Sequence, residues 1–160
     1  MKKRFVIATA IAFCATSFVT ASADDFPFKN QIQARQAFMK VYAFNLGLLG
    51  AMAKGKADYD AKLASAAANN LLAAAKMNNS AMWPAGSDVN AEGLKGKTRA
   101  KPEAWSRYPE VGEKHQALTN ALTAMAAEAG NGLNAVQANM AAVGKGCKGC
   151  HELVRVPKKQ

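Results

Sequence analysis

The chain has 160 residues, with 21 Lys and Arg against 11 Asp and Glu, and half of its residues are hydrophobic. This length suits one domain with its own buried core and excludes a large multidomain protein. Alanine is abundant, β-branched residues are scarce, and no segment alternates strictly between apolar and polar residues, so the composition predicts an all-α fold.

The first 23 residues predict a secretory signal peptide. A basic start is followed by an apolar stretch that is too short for a membrane helix, and small residues precede Asp24. We expect residues 1–23 to be removed together with Cys14, and residues 24–160 to form one exported domain. Losing the three basic residues of the signal lowers the formal charge from +10 to +7.

Two helices are predicted in the first half of that domain. The first spans about Lys29 to Lys54 and ends at Gly55, a residue that favours helix ends. Its predicted apolar stripe is Ile32, Met39, Tyr42, Leu46 and Leu49. The second is predicted to start near Asp58, a good N-cap, with a stripe of Tyr59, Leu63, Ala66, Asn70 and Met77.

A long connection is predicted between Asn78 and Lys101, where Gly, Asn and Ser are frequent. Connections of this length in small domains are usually functional. The third helical stretch starts at Pro102, breaks or restarts at Pro109, and ends in Gly130 to Gly132. Its predicted stripe is Val111, His115, Leu118, Leu122 and Met125.

The last helix has the most regular pattern. Its apolar positions are spaced alternately three and four residues apart, which is typical of a helix in a bundle: Leu133, Val136, Met140, Val143, Cys147, Cys150 and Val154. With four helices, two short connections and one long one, the sequence predicts an antiparallel four-helix bundle.

Cys147, Cys150 and His151 form a C-x-x-C-H motif in that helix. At about 100° per residue the three side chains lie within roughly a quarter turn and face the bundle interior. The motif is typical of covalent haem attachment. A redox dithiol would instead lie at the start of a helix after a strand, and a zinc site would need four ligands.

The chain resembles the family of cytochrome c prime and its low-spin class II relatives, which are four-helix bundles with C-x-x-C-H near the C-terminus. The resemblance extends over residues 24–160. Besides "CKGCH", it includes "ARQAFM" from Ala34, "AKGKADYD" from Ala53, "KPEAW" from Lys101, and a basic residue, Arg155, four positions after the histidine.

The resemblance implies one covalent haem c, with Cys147 and Cys150 as its anchors and His151 as the proximal iron ligand. Arg155 matches a basic residue against the proximal face. Arg35 and Gln36 match a pair near the haem propionates. Arg35 also occupies an apolar-stripe position, where a charge needs a partner such as a propionate unless it reaches solvent.

Met39 matches the position that covers the distal face. In this family a non-ligating residue there leaves five-coordinate iron that binds nitric oxide or carbon monoxide, whereas a ligating Met gives a six-coordinate electron carrier. The bulky Phe38 and Tyr42 favour the five-coordinate state. His115, on its helix's apolar stripe, is a weaker candidate for a distal ligand, and a structural histidine is the simpler interpretation.

The resemblance implies a periplasmic, homodimeric one-electron carrier, and small residues on the first helix would permit the dimer: Gly47, Gly50, Ala51 and Ala53. The sequence shows no constellation of residues for acid, base or nucleophilic catalysis, so we do not predict an enzyme. An exported protein rarely meets nucleic acid, so the basic charge indicates a solvated surface or one that attracts acidic redox partners.

Overall fold

The computed structural model describes residues 25–158. They form five α-helices and one 3₁₀ turn at Ser80–Met82; the helices are α1 (Lys29–Ala53), α2 (Ala61–Lys76), α3 (Glu103–Ser106), α4 (Tyr108–Glu128) and α5 (Leu133–Val154). The predicted signal peptide and Cys14 lie outside the described residues. Within residues 25–158 no helix is both long and apolar enough to cross a membrane.

The four long helices form an antiparallel bundle, as predicted. α1 packs against α2 and α5, and α4 also packs against α2 and α5, so that each helix has two main neighbours. The one-turn helix α3 leads into α4, and Pro109 lies in the first turn of α4, which explains why the third helical stretch restarts there.

The bundle core consists of small and medium-sized apolar side chains. Leu49, Leu122, Met125 and Val136 are fully buried, and a row of alanines from α2 allows the helices to approach closely. The regular pattern of α5 is confirmed, since Val136, Val143 and Val154 are buried and the other predicted positions are partly buried, namely Leu133, Met140, Cys147 and Cys150.

The predicted stripe of α2 was wrong. The buried residues of this helix are Ala64, Ala67, Ala68, Leu71, Ala74 and Ala75, whereas Leu63 and Met77 are exposed. In an alanine-rich helix nearly every face contains apolar residues, so the spacing of the larger side chains did not identify the buried face. The N-cap is Asp60 rather than Asp58, because the Asp60 carboxylate accepts a hydrogen bond from the backbone of Leu63.

The stripe of α1 is also rotated from its prediction. Ile32 and Leu49 are buried as expected, but Arg35, Phe38, Asn45 and Met52 complete the buried face, while Met39 is 40% exposed. The polar side chain of Asn45 can be buried because its amide group is hydrogen-bonded. It donates to the carbonyl of Val41 and accepts from Asn70 of α2.

The long connection between α2 and α3 folds over one end of the bundle. An isolated antiparallel bridge joins Ala100 to Arg155, just beyond α5. The backbone of Lys101 donates to Val154 at 2.8 Å, and Val156 donates to Arg99 at 2.9 Å. The connection is thereby fastened to the C-terminal end of α5.

Candidate functional site

A cavity of about 240 Å³ lies at this end of the bundle, between α1, α5 and the long connection. It is lined by Arg35, Gln36 and Met39 of α1, by Trp83, Thr98, Arg99 and Ala100 of the connection, and by Cys150, His151, Val154 and Arg155 at the end of α5. Six of the seven residues that the sequence singled out thus meet at one place.

The seventh, Cys147, lies one helical turn earlier and packs partly buried against the bundle core. Both cysteines are free thiols. Burial, and then the proximity of Cys147, raises the pKa of Tyr42 to about 12, which places this phenol close to Cys147. The helical geometry of α5 therefore presents the thiol of Cys150 to the cavity and that of Cys147 to the bundle core.

A second opening of about 520 Å³ adjoins the first. Its lining includes Lys101 and Lys148, and it shares His151 and Arg155 with the first cavity. His151 and Arg155 therefore lie between the two cavities, and their combined space leaves room for a large planar group beside the imidazole.

Arg35 is buried, with 4% of its surface exposed. Its Nη1 donates to the Ser87 hydroxyl at 2.7 Å, and its Nη2 donates to the Ser87 carbonyl at 2.5 Å and to the Thr98 hydroxyl at 2.6 Å. Its guanidinium also lies 4.8 Å from the ring centre of Trp83. Arg35 therefore does not reach solvent, because the long connection covers its side chain and accepts its hydrogen bonds.

The neighbouring residues of α1 complete this wall of the cavity. Gln36 donates from Nε2 to the backbone carbonyl of Lys97 at 2.9 Å. Trp83 is held in turn by Trp105, whose indole donates to the Trp83 carbonyl at 3.1 Å. Met39 lies at the cavity rim with its side chain partly in solvent. The wall therefore combines a hydrogen-bonded polar group with one partly exposed thioether.

The cavity lining is strongly cationic. It contains Arg35, Arg99 and Arg155 and no Asp or Glu. Burial, and then repulsion by Arg155 and Arg99, lowers the pKa of His151. The imidazole is therefore neutral near pH 7, and neutral imidazole is the form that binds a metal ion.

The two thiols are not activated. Burial raises the pKa of Cys147, and burial together with the proximity of Cys147 raises that of Cys150, although Arg155 opposes the latter shift. A reactive dithiol needs the reverse, a thiol whose pKa is lowered by a helix N-terminus or a cation. These thiols have the character of partly buried apolar groups.

His115 lies far from this cavity. Its Nε2 is 2.9 Å from the carbonyl oxygen of Ala75 on α2, which agrees with the structural interpretation of this residue. Sequence reasoning missed Thr98 and Arg99, which line the cavity only because the connection folds over it. It also missed Ser87, which accepts hydrogen bonds from the guanidinium of Arg35. Arg99 is one of several basic residues in a polar segment, so its sequence context carried no signal.

The residues present fit a haem. Two thiols and a neutral imidazole lie on one arc of α5, and open space adjoins the imidazole. Among the described residues the first cavity has a cationic lining without Asp or Glu, which suits a group that carries carboxylates. An all-α bundle with this motif in its last helix defines a class of proteins, the bundle-type c cytochromes.

Comparison with known proteins identifies the family within that class. The family description "Cytochrome C'" matches residues 30–155. Cytochrome c-554 of Cereibacter sphaeroides is 32% identical over 152 residues, covering 95% of this chain and 97% of the relative. Cytochrome c' of the same species is 31% identical over 156 residues, covering 98% and 99%. The chain therefore belongs to the cytochrome c' family.

Solved structures agree with this assignment. Cytochrome c' from Rhodobacter spheriodes superposes with a TM-score of 0.77 at 32% identity, covering 83% of this chain and all of that one. A related structure, with a TM-score of 0.69 at 26% identity, is the nitric oxide complex of a point mutant of cytochrome c prime from Alcaligenes xylosoxidans. Another is described by its ligand-controlled dimer dissociation. Proteins of this family carry covalent haem c, and Cys147 and Cys150 belong to the attachment motif of this chain.

Proposed function

We propose that this protein is a periplasmic cytochrome that transfers single electrons through one haem c, with five-coordinate iron that binds nitric oxide or carbon monoxide. Bound haem supplies an iron that alternates between the ferric and ferrous states. The observation that carries the proposal is the cationic cavity in which Cys150 and His151 meet Met39 of α1.

In this proposal each candidate site residue of α5 has a defined role. Cys147 and Cys150 would anchor the haem, and His151 would hold its iron as the proximal ligand. Arg155 lies beside His151 and opposes its protonation, which keeps the imidazole available. On the α1 side, Arg35 and Gln36 line the wall where the resemblance puts the propionates, and they fasten the long connection over the site.

A spectrum of the purified protein tests the haem. Expressed with haem-maturation machinery, the protein should show a Soret band that stays with the polypeptide through acid-acetone extraction. The two histidines provide a matched pair: His151→Ala should change the spectrum of the iron, whereas His115→Ala should not. A colourless wild-type protein, or equal spectra of the two variants, would overturn the proposal.

Met39 decides the spin state. The side chain lies at the cavity rim and is 40% exposed. Its bulky neighbours on the same helix, Phe38 and Tyr42, pack edge to face with ring centres 5.3 Å apart. Both features favour a steric cover over an iron ligand. A point mutant of a relative, solved as a nitric oxide complex, supports an open sixth position.

Visible and resonance Raman spectra of Met39→Ala test this state, with Met77→Ala as a control because Met77 is equally exposed but outside the cavity. We expect a high-spin wild type that takes up carbon monoxide faster after Met39→Ala and not after Met77→Ala. A sulfur-to-iron band in the near infrared of the ferric wild type, lost only in Met39→Ala, would make the protein a low-spin electron carrier.

The outer face of α1 supports a homodimer. Val41 and Phe44 are exposed, the latter by 68%, and a Cβ added at Gly47 would meet no atom within 4 Å, whereas one at Gly50 would touch Met140 within the bundle. Gly47 therefore leaves room for a second copy. We expect Phe44→Glu to sediment as a monomer. A wild type that is monomeric at high micromolar concentration would contradict the dimer.

The partners of this carrier follow from its charge. The chain has a formal charge of +10, and +7 without the predicted signal, which favours association with acidic redox proteins. The predicted signal peptide supports export to the periplasm. A dithiol oxidoreductase is not proposed, because burial raises the pKa of both thiols.

A further inference from the structure

The three arginines of the cavity have different hydrogen-bond partners. The guanidinium of Arg35 is occupied by Ser87 and Thr98. In the described part of the chain, the side chain of Arg99 donates only from its Nε, to the carbonyl of Val156 at 2.8 Å. Within residues 25–158 neither Arg99 nor Arg155 forms an ion pair, since the pairs there join other residues. The terminal amino groups of Arg99 thus border the cavity with unused donors.

Arg99 is nevertheless held firmly in place. Its carbonyl accepts from Val156 at 2.9 Å, and the next residue forms the bridge to Arg155. On its other side, Thr98 accepts from Arg35 and the carbonyl of Lys97 accepts from Gln36. The backbone of Arg99 is therefore fixed from α1 and from the end of α5, which are the two walls of the cavity.

We propose that Arg99, with Arg155 beside it, binds a carboxylate of the haem, and that Arg35 is a positioning residue that acts through Thr98. The proposal rests on the haem-binding function proposed above. An arginine with both terminal amino groups available presents two parallel donors, which match a carboxylate. Repulsion from Arg99 contributes to the lowered pKa of Arg155, after burial, and an anion between the two would relieve it.

The test uses the haem-loaded protein and a substitution that removes the charge, Arg99→Gln. The control is Lys95→Gln, which removes the same charge from an exposed position in the same connection. In Arg99→Gln we expect the propionate bending band in the resonance Raman spectrum to shift and the midpoint potential to fall, because a cation near the iron favours the ferrous state. Equal spectra and potentials in the two variants would overturn the proposal.

A double-mutant cycle separates Arg35 from Arg99. Arg35→Lys keeps the charge but loses the fork to Ser87 and Thr98, so it should shift the propionate band and increase tryptic cleavage of the connection. If Arg35 acts through Arg99, the added effect of Arg35→Lys on the band should vanish in the Arg99→Gln background. A full and additive shift in that background would show that Arg35 binds the carboxylate itself and would overturn the assignment.

A second variant and the addition of phosphate complete the test. If Arg99→Gln does not acquire haem, Arg99→Lys replaces the fork by a single ammonium. A shifted propionate band then supports the proposal, and an unchanged band overturns it.

Inorganic phosphate distinguishes a free anion from the haem carboxylate. A wild-type potential that falls on phosphate addition, with a propionate band insensitive to Arg99→Gln, would assign the arginines to a free anion. A protein without covalent haem would overturn the proposed function itself, before these measurements begin.

Discussion

The two ends of the bundle are built differently. At one end, the C-terminal half of α1, α2, the second half of α4 and the start of α5 enclose a continuous core, with Leu49, Leu122, Met125 and Val136 fully buried. At the other, the start of α1 and the end of α5 are separated by a cavity lined with three arginines. Apolar burial stabilises the closed end, whereas the open end is held by hydrogen bonds from α1 to the long connection.

This difference separates stability from function along each helix. The same two helices, α1 and α5, contribute core residues at one end and candidate haem-binding residues at the other. Substitutions at the closed end should therefore change the free energy of unfolding with little effect on the spectrum. Substitutions of residues that line the cavity should instead change the spectrum.

The largest effect on stability is expected from Leu122→Ala in the closed end. Leu122 has no exposed surface, so its truncation should reduce the free energy of unfolding by about 2–5 kcal/mol. Leu63→Ala is the matched control, because Leu63 is 41% exposed. Urea unfolding of both haem-loaded variants measures the difference. Equal losses, or a changed Soret band in Leu122→Ala, would contradict the separation of the two ends.

A pair of glycines on α5 tests the border between the ends. A Cβ at Gly146 would lie 3.0 Å from Cα of Leu118, whereas one at Gly144 would meet nothing within 4 Å. Gly146→Ala should therefore cost about 1–3 kcal/mol through overpacking. Gly144→Ala should stabilise the helix by up to about 1 kcal/mol. Thermal unfolding should move in opposite directions, and a common direction would refute the close approach of α4 and α5.

The smallest effect concerns the turn that closes the core. The hydroxyl of Tyr59 donates to the carbonyl of Ala129 at 2.8 Å and accepts from the backbone of Gly132 at 3.0 Å. Tyr59→Phe should reduce the free energy of unfolding by about 0.5–1.5 kcal/mol. Tyr108→Phe, at an exposed position, should leave it unchanged. If denaturant midpoints of the two variants coincide, these hydrogen bonds do not contribute to stability.

The sequence by itself determined the four long helices, their connections and the motif that carries the chemistry. These features are local: helical periodicity, proline and glycine at helix ends, and three residues on one arc of α5 are all encoded within a few positions. The bundle predicted from the regular spacing on α5 was confirmed, because that periodicity is also encoded locally.

Only the tertiary structure decided which side chains meet at the cavity. Arg35 finds its partners 52 and 63 residues away, and Arg99 reaches the site because the connection is fastened to the end of α5. The buried face of α2 was equally undetermined, since alanines on all sides leave the choice to the neighbouring helices. Long-range packing selects among locally equivalent faces and supplies the partners of a buried charge, and neither can be derived from residues adjacent in the sequence.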